Sequence, residues 1–144
     1  SKSDQEAIES LIEDDGFRRF FTWSIETGLR PSESLGLCAR MIRKDPVVGP
    51  VVDVMNTKNG ESRTIPLTTT ALNCLEAAVN FSTFTAYRIT REWASLRRKD
   101  PEAMKDFVFY TCRHTCATRL LSIALAAVSL GMGTKVLPSN QYRK

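Results

Sequence analysis

Two arginines stand where the chain turns into a helix. Arg30 follows Thr27-Gly28-Leu29 and precedes Pro31, a residue suited to the first turn of a helix. Arg113 follows the apolar run Phe107–Tyr110 and opens a segment with helical spacing. An arginine at a helix mouth, just behind buried sequence, is costly to desolvate unless an anion meets it. From there a guanidinium can grip a phosphate with two hydrogen bonds, and the first amides of the helix add their dipole. For Arg30 alone, pairing with Glu33 or Glu26 is the simpler account. Two arginines so placed, with Lys58 beside an Asn59-Gly60 turn and Tyr142 in the tail, favour a site that handles phosphate.

The neighbours of Arg113 invite other chemistry. His114 is the only histidine in the chain, and on a helix it points about 100° away from Arg113. A buried, hydrogen-bonded packing role suits it better than catalysis. Cys112 and Cys116 flank it, but zinc takes about four ligands, and the remaining cysteines, Cys38 and Cys74, form no CxxC pair. The thiols read as reduced core residues, and neither metal nor other cofactor is expected.

Charge narrows the partner. Of 16 acidic residues, six (Asp4, Glu6, Glu9, Glu13, Asp14 and Asp15) crowd the first fifteen positions, against Lys2. The rest of the chain carries 19 basic and 10 acidic residues, a surplus that suits a polyanion such as nucleic acid. Arg88, Arg91, Arg97, Arg98 and Lys99 cluster on one segment, readable as a DNA-backbone contact or as a solvated helix face. With 144 residues, 42% of them hydrophobic, the chain suffices for one domain with a core. No apolar run approaches the ~20 residues of a membrane span, and the polar, acidic start does not resemble a signal peptide.

These residues need elements to hold them. Ser3 and Glu6 fit a capping box for a first helix that Gly16 ends. Phe17, Phe20, Phe21 and Ile25 carry the apolar stripe of a second helix, closed by Gly28, and Pro31 opens a short third. Val47-Val48, Val51–Val54 and Arg63–Leu67 are β-rich around Asn59-Gly60, which predicts a small antiparallel sheet with Pro66 at an edge. Thr68 to Asn80 and the region of Ile89, Trp93 and Leu96 return to helical spacing, the latter broken by Pro101. Phe107–Tyr110 looks strand-like, and a last helix runs from near Thr111 into Leu120–Leu130. Tyr87 and the Phe20–Phe21–Trp23 cluster are expected in the core.

Three segments together resemble a known family. They are Thr27-Gly28-Leu29-Arg30-x-x-Glu33, Asn56-Thr57-Lys58-Asn59-Gly60 with Arg63-Thr64-Ile65-Pro66-Leu67, and Tyr110-x-x-Arg113-His114-Thr115-x-Ala117-Thr118. The chain, from about residue 4 to its end, looks like the catalytic domain of a tyrosine recombinase, the phage-integrase family. The resemblance implies an α+β fold, mostly helical with a small three-stranded antiparallel sheet. It makes residues 1–144 a single catalytic domain from which the usual N-terminal core-binding domain is absent. It further implies that Tyr142 attacks a DNA phosphate to give a 3′-phosphotyrosyl link, that Arg30 and Arg113 neutralise the phosphate, and that Lys58 protonates the leaving 5′-oxygen. Tyr110 stands where the family usually has histidine and could hydrogen-bond the phosphate; Met132 stands where histidine or tryptophan is usual. Met132, with a segment between Arg113 and Gly131 roughly one helical turn shorter than the family's, motivates an alternative, a catalytically impaired DNA-binding relative, and a type IB topoisomerase-like relaxer shares the same residues. The implied partner is double-stranded DNA, bound by a homotetramer of the full-length protein, with accessory DNA-bending proteins possible and no membrane. The implied setting is the cytoplasm of a bacterial or phage-infected cell.

Overall fold

The site is built on one buried helix. The computed structural model describes residues 2–56, 60–78 and 84–129. Within them the order is α1 (Lys2–Leu11), α2 (Asp15–Thr27), α3 (Pro31–Leu35), β1 (Ile42–Asp45), β2 (Gly49–Asn56), β3 (Glu61–Pro66), α4 (Thr69–Ala78), α5 (Ala86–Lys99) and α6 (Phe109–Ser129). The expected mostly helical α+β fold with a three-stranded antiparallel sheet is what forms.

Helix α2 is central because its apolar residues surround it. Phe17, Phe20, Phe21 and Trp23 are all fully buried, and α4 and α6 pack against the helix. Trp93 of α5 meets Phe17 and Phe21 at ring-centroid distances of 6.4 and 6.1 Å, within the usual range for aromatic pairs. One cluster of apolar side chains joins α1, α2, the sheet, α4, α5 and α6. Among the described residues no helix is long and apolar enough to cross a membrane.

The start of α2 differs from expectation. Gly16 does not end the first helix; it lies in the first turn of α2, and α1 stops earlier, at Leu11. The Asp14 carboxylate caps α2 by accepting the Phe17 amide at 2.7 Å. Gly16 is there for space, since a Cβ would come within 3.1 Å of both Asp14 Oδ1 and the Phe84 ring. Nor is Ser3 the cap of α1, which already begins at Lys2.

The sheet has the order β1-β2-β3, with both pairs antiparallel and Pro66 on an edge strand opposite Val51. Val47 and Val48 are not strand residues. They form the β1–β2 turn, because Asp45 Oδ1 accepts both their amides, at 2.8 and 3.1 Å. Those two bonds, and then Arg43, hold the Asp45 carboxyl below its ordinary pKa. The strand beside β2 on that side is instead Ile42–Asp45, mostly charged, which no β-rich pattern marks.

Helices α4 and α5 form where expected, each capped by threonine: Thr68 Oγ1 accepts from Ala71 N and Thr85 Oγ1 from Arg88 N, both at 3.1 Å. Phe107–Tyr110 is not a strand. Phe107 packs on Phe21 and Trp93, and Phe109 and Tyr110 are already the first residues of α6. Tyr87 is 75% exposed rather than in the core. His114 is exposed as well, on a helix whose neighbouring Cys112 and Cys116 are buried.

Candidate phosphodiester site

Arg30 is set by the end of α2. Gly28 adopts the left-handed conformation, φ 65°, and returns its amide to Ser24 O at 3.0 Å, a helix end that glycine allows without strain. Buried Thr27 spans the turn: its hydroxyl donates to Trp23 O at 2.8 Å and accepts the Leu29 amide at 3.3 Å. Arg30 then becomes the N-cap of α3, and its own amide donates to Glu33 Oε2 at 2.8 Å. Trp23 Nε1 donates to the buried Ser34 Oγ at 3.1 Å, pinning α3 to α2.

Arg113 reaches the same place from the other end of the chain. Helix α6 lies on α2, with Cys112 in the core and Cys116 Sγ 3.5 Å from Glu26 O. This packing leaves Arg113 only 8% exposed. A pocket of about 480 Å³ opens there, lined by Arg30 and Arg113 with Pro31, Ser32, Leu35 and Ala86 among its walls.

The simpler account of Arg30 does not hold. Glu33 is engaged by the Arg30 amide and by Arg63, and Glu26 accepts the Thr68 hydroxyl at 2.7 Å. Among the described residues the Arg30 guanidinium makes no hydrogen bond or ion pair. Two permanently charged forks therefore share one largely apolar pocket. Planar guanidiniums of this kind suit two-pronged hydrogen bonding to an oxyanion. With five residues, α3 adds little dipole, so the arginine side chains carry the site.

The other predicted residues divide. Tyr110 is placed on α6, three positions before Arg113, with its side chain outside the described part. Lys58 and Tyr142 lie outside the described residues, as does Met132. Of the α5 cations, two are bound into the fold. Arg88 pairs with Asp14 at 2.8 Å and lies 4.2 Å over the Phe84 ring, and Lys99 meets Glu13 at 3.0 Å. Arg91, Arg97 and Arg98 are exposed on that helix. Sequence reasoning missed Ala86 as a pocket wall, a role that its type does not signal.

No protein family's sequence profile matches the chain, and no curated protein matches it. Solved structures with the same fold include the Tn1549 transposon integrase in complex with circular intermediate DNA. It is 18% identical, with a TM-score of 0.61 over 97% of this chain and 57% of that one. A point variant of that integrase, bound to another circular intermediate DNA, is 20% identical with a TM-score of 0.60, over 94% and 55%. The chain thus spans somewhat over half the length of those integrase chains. At such identities the likeness is one of fold alone: this chain shares the fold of the matched part of that integrase.

Proposed function

We propose that this chain is the catalytic domain of a tyrosine recombinase, which binds DNA and breaks and rejoins its strands. The carrying observation is that Arg30 and Arg113, distant in sequence, are brought into one pocket by a fold shared with a DNA-bound integrase. In this reading the two guanidiniums hold the non-bridging oxygens of the scissile phosphate and stabilise the charge that grows there. Tyr142 supplies the nucleophilic oxygen, forming a bond to phosphorus as the bond to the 5′-oxygen breaks. Lys58 protonates that leaving oxygen, and Tyr110 hydrogen-bonds the phosphate. The phosphotyrosyl link keeps the phosphodiester energy for religation. Arg91, Arg97 and Arg98 contribute sequence-independent backbone attraction, which weakens with salt. The full-length protein works as a homotetramer on DNA in the cytoplasm, assisted by DNA-bending proteins.

The test is a nicked suicide duplex that loses the cleaved fragment and traps the protein on DNA. The full-length protein should give a covalent adduct that survives denaturant, and Tyr142→Phe should give none. Absence of adduct, or an equal yield from the variant, rejects the assignment in favour of a binding-only relative. Strand exchange between two duplexes, as against relaxation of one supercoiled circle, then separates recombinase from topoisomerase.

A further inference from the structure

A largely buried ion pair, Arg63 with Glu33, lies outside the lining of the pocket and has no part in the chemistry above. On β3, alternate residues share a face, so Arg63 lies on the same side as the buried Ile65. Its Nη2 donates to Glu33 Oε2, the same oxygen that accepts the Arg30 amide. The two side chains are 17% and 12% exposed, and Arg63 Nε is buried without a hydrogen-bond partner. Such a pair is a poor source of stability, because desolvation offsets most of its attraction and an orphaned N–H adds to the cost. Its geometry offers a better reason. Glu33 is held where it fixes the backbone of the residue that presents the Arg30 guanidinium.

We propose that Arg63 is a positioning residue, acting through Glu33 to tie the backbone of Arg30 to the root of the β2–β3 hairpin. The inference rests on the reading of the pocket as a phosphodiester site. In the ladder Arg63 faces Val54, two pairs from the terminal Asn56–Glu61 pair, and the connection beyond contains Lys58. One strut therefore joins the strand leading to the proton donor with the arginine that holds the phosphate. Without Arg63, the Glu33 carboxylate is free to turn toward solvent and release the Arg30 amide.

The test compares Arg63→Met, Arg63→Lys and the exchange Arg63→Glu with Glu33→Arg in the full-length protein. Three quantities are measured: hydrogen exchange at the Arg30 amide, adduct formation on the nicked duplex, and melting temperature. Arg63→Met should speed exchange at Arg30 by about tenfold or more while the Gly28 amide, bonded to Ser24 O, is unchanged. Adduct formation should slow on the order of 100-fold, the usual result of misplacing a reacting group by about 1 Å. Arg63→Lys should recover part of both. The exchanged pair restores opposite charges but not the acceptor for the Arg30 amide, so its adduct formation should stay slow even where melting recovers. Unchanged Arg30 exchange in Arg63→Met, or full recovery in the exchanged pair, overturns the proposal. A wild-type protein that forms no adduct defeats the reading of the pocket, and Arg30 exchange still decides for or against the strut.

Discussion

Replacing Arg113 by lysine separates the charge in the pocket from its shape. The arginine is 8% exposed and shares the pocket with Arg30. Its neighbour Cys112 is buried so deeply that its thiol is pushed up to about 12, so no thiolate forms there at neutral pH to cancel the charge. Lysine keeps the positive charge but replaces a planar, two-pronged donor with a single shorter point of contact. Loss of one preorganised donor to a charge-bearing oxygen costs ~10²–10³ in rate, or about 2.7–4 kcal/mol. The fold should lose about 1 kcal/mol, the ordinary size for a single substitution. The assay is single-turnover adduct formation on a nicked duplex with protein in excess, alongside DNA affinity and thermal unfolding. Adduct formation should fall at least about 100-fold, with affinity changed far less because many phosphate contacts share it. A folded variant that cleaves at close to the wild-type rate means that Arg113 does not meet the phosphate and that the pocket it shares with Arg30 is not the phosphate site.

Two further predictions concern the scaffold. Gly28→Ala places a Cβ at φ 65° and should destabilise the fold by about 1–2 kcal/mol, read as a lowered urea midpoint at constant slope. An unchanged midpoint would mean that the turn relaxes freely and does not aim Arg30. Asp14→Ala removes the α2 cap and should cost about 1 kcal/mol at pH 7, whereas Asp14→Asn should keep most of it. The Asp14 carboxyl is held below its ordinary pKa of 3.8, first by the Phe17 amide and further by Arg88. Its folded pKa being the lower one, the charge stabilises above the unfolded pKa, and that contribution disappears as pH falls through the folded value. Unfolding curves of wild type and Asp14→Asn should therefore converge below pH 3.8, and a gap that widens in acid contradicts the assignment.

The sequence made the helix ends around Arg30 legible because glycine and proline punctuate them by backbone mechanics alone. Gly28 and Pro31 do what their dihedral preferences require. The same logic misled at Gly16, where the glycine answers a steric demand from Phe84, a residue far off in sequence. Four apolar residues at Phe107–Tyr110 fit a buried strand or a helix entry equally well, and only the contact with Phe21 and Trp93 decides. Strand β1 was invisible because its polar residues belong to an edge, where pairing rather than burial holds the chain. The site was legible as two arginines. Their convergence was not, because it depends on how α6 lies against α2.

Helix α2 also acts as a common datum for the site. Arg30 leaves its C-terminal end through a fixed turn, and Arg113 rides on the helix packed along its side. The separation of the two guanidiniums is therefore referenced to one rigid element, not to the long chain between them. Residues added in the β1–β2 turn or after α5 lengthen the path without altering that reference. A single residue added between Thr27 and Arg30 would turn one arginine away from the other. Natural or engineered variation in length should accordingly collect in the β1–β2 turn and the α5–α6 link, and be purged from the four positions Thr27 to Arg30.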